Sequence, residues 1–139
     1  MVDQNCAYCM EGELVAKFGI KICELETSKL YLFKEQSHPG RCIVAHKKHV
    51  GDMNELTAEE RAAYFEDVAR VARAIMKAFN PDKVNYGAYG DTGHHLHFHL
   101  CPKYKDEYEW GGVFLMNPDK KYLTDAEYTE MIEKIKANL

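Results

Sequence analysis

The chain has 139 residues, 46% of them hydrophobic, and a formal net charge of −4. That length suits a single domain over residues 1–139, large enough to bury a core without disulfide staples. The acidic balance argues against a nucleic-acid or membrane-surface binder, either of which carries a basic excess, but leaves room for a local basic pocket holding one phosphate.

Five cysteines, an odd number, predict a reduced cytoplasmic chain. No basic leader precedes an apolar run, and no apolar run of about 18 residues occurs, so neither a signal peptide nor a membrane span is expected. In chain order, a segment carrying Cys6 and Cys9 comes first. Residues 21–27 and 29–36 then read as two strands joined at Thr27-Ser28. Pro39-Gly40 breaks the chain, and 41–47 reads as a third strand. Its apolar run from Cys42 to Ala45 suggests burial on both faces.

Thr57 and Glu60 form a capping box that opens a long helix. Tyr64, Phe65, Val68, Val71, Ala72, Ile75, Met76 and Phe79 recur on one face of it, and Asn80-Pro81 ends it. Residues 83–90 read as a short strand entering a glycine-containing loop, and 95–103 as another strand. A second capping box, Thr124 and Glu127, opens a last helix with Tyr128, Met131, Ile132 and Ile135 on its apolar stripe. This order predicts an α+β domain, an antiparallel sheet with helices on one face.

The strand 95–103 carries the chemistry. His95, His97 and His99 alternate with Leu96, Phe98 and Leu100. Side chains alternate across a strand, so the three imidazoles share one face, spaced about 6.6 Å, and the apolar residues face the long helix. Two readings follow. An H-x-H pair can chelate a catalytic metal that activates water. Alternatively, one imidazole, neutral near pH 7, attacks phosphorus while its neighbours hold its tautomer or serve the leaving group.

The run His95-Leu96-His97-Phe98-His99-Leu100-Cys101 closely resembles the signature of the histidine triad family of nucleotide hydrolases and transferases. The N-terminal CAYC, the segment PGRCIVAHKKHV, the long helix, VNYGAYGD and the strand running into CPKY follow in the order that family uses. The resemblance implies a domain that dimerises through its long helix into one continuous sheet. It implies attack at the α-phosphate of an AMP-containing nucleotide through a covalent nucleotidyl-histidine. His97 maps onto the nucleophile, His99 onto the phosphate or leaving-group contact, and His95 onto the residue that orients His97.

The same resemblance places Asn85, Gly90, Asp91 and Thr92 at the phosphate. Thr92 keeps a hydroxyl where relatives commonly have serine. Asp91 replaces an amide; turned inward it would repel phosphate, turned outward it is an ordinary turn residue. Arg41 stands where many relatives have a fourth histidine. It is either a permanent cation near phosphate or a strand-edge arginine in water.

Cys6 and Cys9 form C-x-x-C, which alone is chance, a redox pair or half a zinc site. Several bacterial histidine triad proteins close such a site with the histidine of KKH and the first triad histidine, here His49 and His95. A closed Cys2His2 site has no open position, so the Zn2+ would be structural and would pin the N-terminal segment beside the nucleophile. His46 reads as a satisfied core histidine, His38 as a solvated loop residue, and His94 as non-catalytic. Cys23, Cys42 and Cys101 read as small core residues. Trp110, Gly111 and Gly112 form either a loop near a partner subunit's pocket or a surface loop with one aromatic anchor.

The leading expectation is a hydrolase acting on AMP–X, with X an amine or another nucleotide's phosphate. The alternatives are a mononuclear metal hydrolase using His95 and His97, and a non-catalytic nucleotide-binding dimer.

Overall fold

The computed structural model describes residues 3–139. Five strands, β1 (Gly19–Glu24), β2 (Ser28–Phe33), β3 (Cys42–His46), β4 (Lys83–Gly87) and β5 (His97–Lys103), form one antiparallel sheet in the order β1-β2-β3-β5-β4. Among the described residues, four α-helices accompany it, α1 (Ala7–Met10), α2 (Gly12–Ala16), α3 (Ala58–Phe79) and α4 (Asp125–Ala137), with a short 3-10 helix at Met53–Glu55. No helix among the described residues is long and apolar enough to cross a membrane.

Strand alternation sorts the sheet into two faces. Leu30, Leu32, Cys42, Val44 and Leu100 point one way, into a core with Val68, Val71 and Ile75 of α3 and Tyr128 and Ile135 of α4. Leu96 and Phe98 join the same core, so the apolar members of the histidine run do face the long helix. Both long helices start on their capping boxes, Thr57 with Glu60 and Thr124 with Glu127. α3 ends at Asn80 in the left-handed conformation (φ 49°), just before Pro81.

The other face was expected to lack helices. It is instead partly covered by α1 and α2, whose Tyr8 and Val15 pack on Tyr31, Phe33, Ile43 and Ala45. Every position of β3 is therefore buried, as its unbroken apolar run implies. A buried carboxylate ties the layers together. Asp67 of α3 accepts from the Thr27 backbone N–H (2.9 Å), the Thr27 hydroxyl (2.8 Å) and the Ser28 hydroxyl (2.7 Å), fixing the β1–β2 turn.

Candidate active site and metal centre

β5 begins at His97, two residues later than the alternation suggests. The ladder with β3 ends at the pair Ala45–His97, and Leu96 then bonds across to Val50 and His46. His95 therefore precedes the strand, yet its ring stays on the side of its two neighbours. Tyr8 of α1 packs on both His95 and His97, at ring-centroid distances of 5.3 and 4.9 Å. The His97 and His99 rings lie 5.4 Å apart.

Hydrogen-bond partners fix the proton on each ring. The Nδ1 of His97 lies 2.6 Å from the carbonyl oxygen of His95. A carbonyl only accepts, so Nδ1 carries the proton and Nε2 keeps its lone pair. No described residue bonds that Nε2. Burial holds the imidazole below its usual pKa, so the ring is neutral and nucleophilic at pH 7. Orientation of His97 by His95 thus runs through the peptide carbonyl.

The Nδ1 of His99 lies 3.1 Å from a terminal nitrogen of Arg41. A guanidinium only donates, so this Nδ1 accepts and the His99 proton sits on Nε2. Burial, followed by the Arg41 charge, pushes the His99 pKa down to about 2. Arg41 does not face water. It is fully buried, with its guanidinium 4.2 Å from the Phe33 ring and 4.8 Å from the Phe114 ring. It also donates to the carbonyls of Leu115 (3.0 Å) and Met116 (2.8 Å).

The His95 ring faces the other way. Its Nε2 donates to the His46 carbonyl at 2.6 Å, which leaves the Nδ1 lone pair bare. Burial holds this imidazole down to about 4. That Nδ1 lies 3.3 Å from the Cys6 sulfur, 3.7 Å from the Cys9 sulfur and 3.2 Å from the His49 Nδ1. The Cys9 sulfur and His49 Nδ1 are 3.2 Å apart. One donor atom from each of Cys6, Cys9, His49 and His95 falls within 4.8 Å of all the others.

A zinc tetrahedron with bonds of about 2.3 Å to sulfur and 2.05 Å to nitrogen has S–N edges near 3.5 Å and N–N edges near 3.3 Å. These spacings match that figure, and the His46 carbonyl supplies the outer-sphere acceptor that ligating histidines use. The four residues fit zinc. His97 stands outside the group, its Nδ1 committed to a carbonyl, so the structure does not assemble an H-x-H chelate.

Beside His97 and His99 lies a cleft of about 670 Å³. That volume suits a nucleotide-sized ligand. Tyr8, Phe18 and Phe33 line it with aromatic rings, and Val113 to Asn117 with Tyr122 line it as well. Gly90, Asp91 and Thr92 edge it as expected, with Gly90 at φ +87°, where a side chain would be strained. Asp91 is exposed at this rim. Asn85 does not line the cleft; it sits on β4 opposite Cys101.

Three other histidines differ from expectation or refine it. His38 is not solvated: it is 2% exposed, with Nε2 2.6 Å from the Glu109 carboxylate. Glu109 in turn accepts from the Leu115 N–H at 3.0 Å, which helps seat the cleft wall. His46 is buried but only half satisfied. Its Nδ1 accepts from the Lys48 N–H at 2.9 Å, while Nε2 finds no partner. His94 is exposed, with its ring over Gly51. Cys42 and Cys101 are buried, Cys23 partly so, and Trp110 lies on a half-exposed loop.

Sequence reasoning missed Tyr8, Glu35 and the 113–117 wall. Tyr8 could have been found as the bulky residue between Cys6 and Cys9. The apolar run Val113 to Met116 after two glycines was the only signal of the wall.

A model of the HIT domain matches residues 19–106, well over half of the chain. The chain belongs to the histidine triad (HIT) family. It is 28% identical over 141 aligned residues to the adenosine 5′-monophosphoramidase of Schizosaccharomyces pombe, covering 95% of this chain and 99% of that relative. It superposes on a histidine triad protein of Sinorhizobium meliloti with a TM-score of 0.84 at 23% identity, over 92% of this chain and 95% of the other. A zinc-bound histidine triad family protein of Mycobacterium smegmatis matches with a TM-score of 0.65 at 20% identity, over 96% of this chain and 91% of that one.

Proposed function

We propose that the chain is a nucleotide hydrolase or transferase acting at the α-phosphate of AMP–X substrates, with His97 as nucleophile. The observation that carries this reading is the His97 ring itself. Its Nδ1–H is held on the His95 carbonyl at 2.6 Å, which leaves Nε2 bare, and the residue borders the cleft. In the first step the Nε2 lone pair forms a bond to the α-phosphorus. The P–X bond breaks with its electron pair going to X. The positive ring is stabilised by the Nδ1–H···O=C bond. In the second step water attacks the phosphorus, its proton passes to solvent, and the P–N electron pair returns to Nε2, releasing AMP. The His99 Nε2–H serves as a donor to a phosphoryl oxygen, where charge accumulates. Gly90 and Thr92 supply further donors at the rim.

Cys6, Cys9, His49 and His95 hold a structural Zn2+ in this reading. Bound zinc supplies a crosslink that seats α1, and with it Tyr8, against His97. The relative named as a phosphoramidase supports nucleotide hydrolysis, and the zinc-bound neighbour supports the metal. A homodimer built across α3 completes the proposal.

Intact-protein mass spectrometry after a brief mix with an AMP phosphoramidate or a diadenosine polyphosphate tests it, using wild type, His97→Ala and His99→Ala. One adenylyl adduct is expected on wild type and none on His97→Ala. Product without adduct, lost on chelation, would replace the nucleophile by metal-bound water. Neither adduct nor product would make the chain a binding protein.

A further inference from the structure

The reaction proposed above leaves X open, and the buried Arg41 bears on it. On the His97 reading, His99 is the phosphate or leaving-group contact, beside His97 at the cleft. A histidine there can act in two ways. As an imidazolium it delivers a proton; as a neutral ring it offers only a hydrogen bond. The neighbours of His99 decide between them. Its ring is enclosed by Phe33 at 5.4 Å, Phe114 at 6.4 Å and His97 at 5.4 Å, and its Nδ1 receives the Arg41 guanidinium at 3.1 Å. The charged or titratable groups facing it are Arg41 and His97, and neither is an anion.

An imidazolium would carry N–H on both nitrogens. Its Nδ1–H would then point at an N–H of a permanent cation, with no carboxylate to offset the repulsion. Arg41 cannot swing away to relieve this. Its Nη1 and Nη2 also donate to the Leu115 and Met116 carbonyls, and although its buried Nε–H has no partner, two aromatic rings hold its plane. Glu35, which is buried, and Glu109, which is partly buried, are committed to backbone N–H groups and to His38 instead.

We propose that Arg41 locks His99 as a neutral Nε2–H donor, and that the chain therefore prefers phosphoanhydride substrates, such as dinucleoside polyphosphates, over phosphoramidates. The claim rests on the His97 reading above. In anhydride cleavage the His97 Nε2–Pα bond forms and the bond from Pα to the bridging oxygen breaks. The electron pair leaves on a phosphate oxygen, an anion stable without a proton. In phosphoramidate cleavage the departing nitrogen must take up a proton, and a neutral His99 has none to give at pH 7. Arg41 is thus a positioning residue that sets substrate class through His99.

The test combines two readouts on the full chain. Ring 15N NMR of wild type reports the His99 tautomer directly, without substrate or turnover. The expected spectrum is a neutral Nε2–H ring unchanged from pH 5 to pH 8. The second readout is kcat/KM for diadenosine triphosphate against an AMP phosphoramidate, in wild type, Arg41→Lys and Arg41→Met. Wild type should favour the anhydride by about tenfold or more, and Arg41→Met should shift that ratio toward the phosphoramidate by about tenfold, mainly in kcat. Arg41→Lys, which keeps the cation, should move it less. A merely structural Arg41 would change KM and stability but leave the tautomer and the ratio alone. A His99 that titrates between pH 5 and pH 8, a wild type that favours the phosphoramidate, or a ratio indifferent to Arg41→Met overturns the proposal. If neither substrate gives adduct or product, the His97 reading has failed and the substrate claim falls with it, whereas the NMR result then still decides the tautomer. The two wild-type measurements decide the matter even if Arg41→Met does not fold.

Discussion

Glu35 stands at the end of β2, 2% exposed, and its carboxylate clamps a segment 85 residues away. One oxygen accepts from the Ser37 hydroxyl (2.6 Å) and the Lys120 and Lys121 backbone N–H groups (2.8 and 2.9 Å). The other accepts from the Ser37 N–H (2.8 Å). Glu35→Gln keeps the shape and turns one acceptor into a donor. With the amide nitrogen at the less crowded position, one backbone N–H loses its partner and three bonds lose their charge. The combined cost is about 2–3 kcal/mol. For a chain of this length that lowers Tm by roughly 7–10 °C, read by scanning calorimetry at pH 7.5.

The pH dependence has a definite sign. Burial pushes the Glu35 carboxyl up, but the Ser37, Lys121 and Lys120 donors outweigh it, and its pKa lies below the ordinary 4.5. A depressed pKa gives stability that is whole above the unfolded value and is lost as pH falls through the folded one. The gap between wild type and Glu35→Gln should therefore be full at neutral pH and narrow below about 4.5. Because Asn117 and Tyr122 of the clamped segment wall the cleft, KM should rise as well. A Tm drop under about 2 °C at pH 7.5 would refute the account of the clamp, since that corresponds to well under 1 kcal/mol.

Two further outcomes are expected. In Cys6→Ser/Cys9→Ser, zinc content measured on the purified chain should fall from about one per chain to near zero. Hydrogen exchange should then speed up across residues 6–16 and hold steady in β2 and β3, with His97 adenylylation slowed, not abolished. Asp91→Asn removes an exposed negative charge at the cleft rim. At low salt KM for an anionic nucleotide should drop about two- to threefold, from a repulsion near 0.6 kcal/mol at about 7 Å in water. The difference should fade as ionic strength shortens the screening length.

The parts of the fold legible in the sequence are those written locally. α3 and α4 announce themselves through capping boxes and apolar periodicity, because both signals lie within a few residues of the helix they define. β3 does so through an unbroken apolar run. The pairing of His97 with His99 on one face follows from the two-residue period of a strand, which no tertiary contact can alter. What stayed illegible is carried by contacts between loops far apart in sequence. His38 reads as a solvated residue beside Pro39, and the Glu109 carboxylate, 71 residues on, buries it together with the Tyr108 ring. Arg41 has every local mark of a strand-edge cation. Its burial depends on Phe33 at the end of β2 and on Phe114 and two carbonyls of an irregular segment that has no period to read. Glu35 is the same case.

His95 shows why even a legible motif underdetermines its roles. Spacing alone offers one imidazole two tasks, holding a metal and orienting His97. In the proposed reading the two tasks divide between ring and backbone. The chain leaves the ladder at Leu96, so the His95 ring turns to Cys6, Cys9 and His49, while its carbonyl stays beside His97. Neither task then competes for a ring nitrogen. Nδ1 is free for a metal, Nε2 is tied to the His46 carbonyl, and the proposed nucleophile, His97, is held by a backbone carbonyl that no side-chain substitution removes. A change at Cys6 or Cys9 can therefore reach His97 by only two routes. One is the small movement of that single peptide unit, and the other is the seating of Tyr8 on the His97 ring. For that reason slowing, not loss, is the outcome expected when the cysteines are replaced.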